Sequence, residues 1–155
     1  MNADLLAMLF EINHYALKVN LAGITHEDSL RSPDTGGNCI NWVLGHVLSN
    51  RNRVLELVGA PPVWEAKDAE RFRRGSAPLT DPIAAMPFET MVSDLDRSQE
   101  EIMSGLARLN AEDLAKEAPR GTVAHELAGL QFHEAYHAGQ IGLLRRIAGK
   151  EGAIR

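Results

Sequence analysis

The sequence predicts an all-α protein built as a four-helix bundle, with a long crossover between the second and third long helices giving an up-down-down-up order. Three observations predict it. Four segments carry apolar residues three and four apart, the spacing of a helix that buries one stripe. No stretch alternates with the two-residue period of a strand for long enough to build a sheet. Between residues 59 and 87 lie Pro61, Pro62, Pro78, Pro82 and Pro87, which rule out one continuous helix. A connector of that length lets the third helix run parallel to the second instead of returning as a hairpin.

Residues 3 to 19 read as the first helix, with Leu5, Leu9, Ile12, Ala16 and Val19 as its buried stripe and His14 partly exposed. The period is lost from 20 to 37, where Ser32 to Gly37 (SPDTGG) is dense in turn formers. A second helix starts near Asn38, a good N-cap, and runs to about Val58 through Ile40, Leu44, Val47, Leu55 and Val58. Gly59, Pro61 and Pro62 stop it. His46 borders that stripe, and Asn50 and Arg53 continue the histidine's own face. Within the connector, WEAKDAERFRRG has the makings of a short helix, and Arg71, Arg73 and Arg74 form a solvated face.

The third helix covers about Phe88 to Leu109, with Met91, Leu95, Ile102, Leu106 and Leu109 as its stripe. Ser98 and Gln99 interrupt it midway, as a polar layer in the core or as a solvent-exposed step. NAEDLAKEAPRG forms a turn and linker. Thr122 is the N-cap of a final helix reaching Ala148, with Val123, Leu127, Leu130, Ile141 and Leu144 on one stripe. That stripe has a gap between Leu130 and Ile141. His137 fills it, and His133 lies one turn earlier on nearly the same face.

Length and composition frame the chemistry. The 155 residues suit one domain spanning 1 to 155, at 45% hydrophobic and 24% charged. A net charge of −5 with no dense Lys/Arg run argues against a nucleic-acid surface. The lone Cys39 allows no intrachain disulfide and suits a reducing compartment. The N-terminus lacks the basic start of a signal peptide, and no apolar run reaches the roughly 18 residues of a membrane helix. The expectation is a cytoplasmic protein with no membrane partner.

Two imidazoles an i, i+4 step apart can grip one ion from a single helix. His133 to His137 (HEAYH) also matches the HExxH pattern of zinc proteases. Gln140 and Leu143, however, stand where the extended form of that motif has glycine and histidine. Glu151 is the sole carboxylate side chain downstream, and no sheet is available to carry a peptide. Cys39 precedes His46 by seven residues, about 10 Å along a helix, so it reads as a small core residue rather than a ligand.

The phrase INWVLGHVLSNRNRVL around His46, the later HEAYHAGQI, the proline-rich crossover and the closing LLRRIAG together resemble the DinB-like superfamily of damage-inducible metal-binding proteins. The resemblance implies a four-helix bundle holding a divalent metal on His46, His133 and His137. It also implies a homodimer. Some relatives use the metal to activate a low-molecular-weight thiol such as mycothiol or bacillithiol, and others have no assigned activity. Two functional classes follow: a metal-dependent thiol S-transferase, or a non-catalytic metal-binding or stress-response protein.

Three neutral imidazoles fill only part of a coordination shell and leave a position for water or substrate. An all-imidazole set favours nickel or zinc. Protons should compete with the metal as pH falls through roughly 6.5. Asn50, Arg53, Glu134 and Gln140 are the candidates for substrate contact or for orienting the ligands. Glu134, about 100° around from His133, is placed to orient a bound water or to face solvent. Gln140 reads as a partner of His137 or as a helix-packing amide, and Tyr136 as a packing residue.

Overall fold

The computed structural model describes residues 2–79 and 81–154. In chain order the helices are α1 (Ala3–Leu21), α2 (His26–Ser29), α3 (Ile40–Leu57), α4 (Ala66–Glu70), α5 (Phe88–Leu106), α6 (Ala111–Ala115) and α7 (Val123–Ile147). A 3-10 turn, Pro82–Ala84, precedes α5. Two two-residue strands, β1 (Glu117–Ala118) and β2 (Gly121–Thr122), pair antiparallel just before α7. The class is all-α, and this small hairpin is a detail that the helical periodicity does not reveal. The four-residue α2 lies inside the segment expected to be loop; Thr25 nucleates it through a capping box with Asp28.

Local chemistry explains where the long helices begin and end. Asn2 caps α1 by accepting from Leu5 N, and Thr122 caps α7 by accepting from His125 N. Helix α3 starts one residue later than expected: Cys39, not Asn38, is its N-cap, without a side-chain cap bond. It ends before Gly59, which takes φ of 70°. Among the described residues no helix is long and apolar enough to cross a membrane.

Helices α1 and α3 each pack against both α5 and α7. Asn13 meets Gln131 and Asn20 meets Ala138, so α1 and α7 run in the same direction. Arg53 meets Glu126 while His46 meets His133, so α3 and α7 run in opposite directions. The proline-rich crossover is anchored by two buried aromatics, Trp64 and Phe72. The Phe72 ring packs against α3 at Gly45, where any Cβ would collide with it.

The buried apolar residues form two clusters. One holds Leu17, Leu44, Leu48, Met91, Leu95 and Ile141; the other holds Leu6, Phe10, Leu55, Ile102, Leu106 and Leu127. Between them each long helix contributes a buried polar residue: Asn13, Arg51, Ser98 with Gln99, and Glu134. The interruption at Ser98 and Gln99 is therefore a layer in the core, not an exposed step.

One stripe differs from expectation. Helix α1 buries Leu6, Phe10, Asn13, Leu17, Asn20 and Leu21, whereas Leu5 and Ile12, expected to be buried, are exposed. The helix is apolar on several faces, and its inner face contains two asparagines. Their amides reach Gln131 O and Ala138 O on α7.

Candidate metal centre

His46 projects from α3 and His133 and His137 from α7, and the three rings meet. His133 Nε2 lies 3.0 Å from His46 Nε2 and 3.0 Å from His137 Nε2. Among the described residues no other His, Cys, Asp or Glu joins this group. His46 and His137 are buried, and His133 is half-buried.

The opposite nitrogens fix what the inner ones present. His46 Nδ1 faces the carbonyl oxygen of Phe72, which can only accept, so that nitrogen carries the hydrogen. His137 Nδ1 faces Gln140 Oε1 at 2.7 Å, while Gln140 Nε2 donates to the Tyr136 hydroxyl. Both Nε2 atoms are thus left as lone pairs aimed at His133 Nε2. A hydrogen on that atom can satisfy one of them only. Three convergent imidazole nitrogens with two tautomers set from behind are the arrangement a cation resolves, and the donor set fits a divalent metal.

Electrostatics favour the same protonation state. Burial, then the neighbouring His137 and His46, then Arg120, push His133 down to about 4. Burial also lowers His137, with the Gln140 bond partly opposing and His46 adding to the shift. Both rings are neutral at pH 7, the form that binds metal. The sign for stability follows. An unfolded His133 takes up a proton near pH 6.5 but the folded one only near 4, so the unfolded chain holds more protons between those values. The metal-free protein should therefore lose stability as pH falls from about 6.5 to about 4. Thermal midpoints of the metal-free protein at pH 7 and pH 5 test this. Equal midpoints, or a drop of the same size in His133→Asn, would count against it.

The other candidate residues separate into two kinds. Gln140 holds His137, and Asn50 reaches back to His46 O at 2.8 Å with its amide 3.4 Å from His46 Nε2. Arg53 and Glu134 do not face the histidines' common point with free groups. Arg53 is paired with Glu126 and Glu56. Glu134 is buried, not solvent-facing, and both its oxygens accept from Arg51, Nε and Nη2 each at 2.8 Å. Cys39 is buried and free, with burial raising its thiol pKa.

Three contributors escape a motif reading. Trp42 stacks on His46 with ring centroids 5.2 Å apart, and the Phe72 carbonyl sits in a segment that reads as linker. Arg51 is the third, although the apolar stripe of α3 skips from Val47 to Leu55 and leaves a gap there. The gap on α7 that contains the histidines is the same kind of signal.

Among curated proteins none matches the sequence. A crystal structure of a conserved protein from Enterococcus faecalis shares the fold, with a TM-score of 0.74 over 97% of this chain and 99% of that one at 18% identity. That likeness carries the architecture alone. The sequence profile of the DinB superfamily matches residues 10–141, most of the chain, and the protein therefore belongs to the DinB superfamily.

Proposed function

We propose that this is a divalent-metal protein, a four-helix bundle in up-down-down-up order, whose three-histidine centre serves transfer of a small external thiol to an electrophilic carbon. The observation that carries the reading is the convergence of three imidazole Nε2 atoms at 3.0 Å with two tautomers fixed from behind. His46, His133 and His137 would hold the ion, nickel or zinc before others because every donor is imidazole. A bound divalent cation makes thiolate available at neutral pH from a coordinating thiol whose usual pKa is near 8.5. The protein's residues do the rest. Gln140 and the Phe72 carbonyl orient two ligand rings, and stacked Trp42 covers one side of His46. Half-buried His133 leaves the α7 side open to an incoming molecule. Asn50 is the polar group placed to touch it.

The second reading is a non-catalytic metal-binding protein. It is favoured by the engagement of Arg53 and Glu134 in ion pairs, which removes two candidates for substrate contact. Titration of cobalt-substituted protein with several low-molecular-weight thiols separates the two. A sulfur-to-cobalt charge-transfer band that His46→Ala abolishes is the result expected of the transferase. A spectrum that no thiol perturbs leaves the non-catalytic reading.

We also propose that the working unit is a homodimer. Leu5, Met8, Ile12 and Tyr15 form an exposed apolar row on α1, and Phe132, Tyr136, Leu143 and Ile147 are exposed on neighbouring α7. Eight large apolar side chains on two adjacent helices call for a cover, and a second copy supplies it. Sedimentation should give a dimer that Ile12→Asp with Phe132→Asp converts to monomer; a monomeric wild type overturns this. The free, buried Cys39 suits a cytoplasmic setting.

A further inference from the structure

The polar layer between the two apolar clusters is held together by one side chain. Arg51 is the largest fully buried side chain, 1% exposed, and every one of its donors is engaged across helices. Toward α7, Nε and Nη2 hold the two oxygens of Glu134 at 2.8 Å each. Toward α5, Nη1 donates to Leu95 O at 2.9 Å and Ser98 Oγ at 2.8 Å, and Nη2 to Gln99 Oε1 at 3.1 Å. One residue of α3 thus fastens both α5 and α7.

We infer that the Arg51–Glu134 clamp is a positioning device for the metal centre: it sets the register of α3 against α7 that brings His46 Nε2 onto His133 and His137. The inference rests on the metal reading above. Glu134 follows His133 directly in α7, and Arg51 follows His46 by five residues in α3, so the clamp and the site share the same two helices at adjoining levels. Apolar contacts tolerate sliding, because they have no direction and depend only on area. A fork-to-carboxylate pair does not, because two parallel hydrogen bonds fix both the distance and the rotation between the partners. A slip of one residue displaces a helix by about 1.5 Å along its axis. That is about half the 3.0 Å separating the ligand nitrogens, enough to take His46 out of the set. Register is also the best attested use of a buried ion pair, since its net contribution to stability is commonly small.

The molecule supplies its own control. Arg53 and Glu126 bridge the same two helices, at 2.9 Å and 3.0 Å, but sit seven residues from His46 and from His133 respectively, and Arg53 is partly exposed. That pair is expected to matter much less to the centre.

The test replaces the whole clamp by apolar side chains of similar volume, Arg51→Met with Glu134→Leu and Gln99→Leu, so that no buried charge or amide is left stranded. The triple variant should keep the helical content and melt near the wild type. It should bind cobalt about 10- to 100-fold more weakly, the range expected when groups that orient metal ligands are lost. Its cobalt absorption spectrum should also change, and Arg53→Met with Glu126→Leu should leave both readouts near wild type. Wild-type affinity and spectrum in a folded triple variant overturn the inference. If the triple variant does not fold, Arg51→Lys replaces it: the lysine keeps the charge but cannot span α5 and α7 together, and an unaltered cobalt spectrum in that variant likewise overturns the inference. Wild-type protein that binds no cobalt at all overturns the metal reading instead. In that event crystal structures of the metal-free wild type and variant decide the positioning claim, which fails if the Nε2 separations are the same.

Discussion

His137→Ala is expected to purify largely free of metal, with affinity for zinc or nickel reduced by at least about 100-fold, the upper end of what loss of an orienting group alone costs. The substitution removes one of three donors, and the two left, His46 and His133, come from different helices. It also releases Gln140, whose carbonyl oxygen holds His137 Nδ1 at 2.7 Å. Gln140→Ala isolates that second contribution and should cost about 10- to 100-fold, because the ring keeps its lone pair but loses the bond that fixes its orientation. Elemental analysis of protein purified without chelator is the measurement. Wild-type metal content in His137→Ala would remove the centre from consideration.

Glu134→Leu should be the most damaging single substitution to stability. It leaves the Arg51 guanidinium, 1% exposed, without a counter-charge, and breaking a buried pair from one side costs about 3–5 kcal/mol. Folded proteins have only about 5–15 kcal/mol in hand. For a chain of this size each kcal/mol lowers the melting midpoint by roughly 2–4 °C, so a fall of the order of 10 °C is expected. The contrast with the fully apolar triple variant gives the prediction its force: more is removed there, yet no charge is stranded. A loss under about 1 kcal/mol by denaturant titration would mean that the guanidinium is not buried as described.

Most of the site was legible because it interrupts a pattern. Histidines inside the apolar stripe of α7 declare that face polar for a reason, and the stripes of α3, α5 and α7 fall where the periodicity puts them, except that α5 ends at Leu106 and leaves Leu109 beyond the helix. Helix α1 was not legible in the same way. Leu5, Leu6, Met8, Leu9, Phe10 and Ile12 crowd its first half, so a stripe can be drawn along either face. The true face is marked by Asn13 and Asn20, whose burial depends on carbonyls of α7 that no local reading supplies. Arg51 stayed hidden for a related reason. A charged residue in a helix is ordinarily solvated, and only the joint presence of Glu134, Ser98 and Gln99 at its level makes burial affordable. The Phe72 carbonyl is further out of reach, because a backbone oxygen leaves no trace in residue type.

His46 and His133 are 87 residues apart, and the first long helix packs on the last. A ribosome releases the chain from its N-terminus, and the earlier segments have the first opportunity to fold. At the moment the crossover emerges, one of the three imidazoles exists, and the faces of α1 and α3 that await α7 are bare. The other two donors arrive together on the helix made last, four residues apart and therefore already side by side as soon as it coils. Capture of an ion by these three histidines would thus be a closing event of biosynthesis, not a seed for it. A chain halted before Val123 has no centre to fill, and an ion held at full affinity certifies that the final helix has been made and seated.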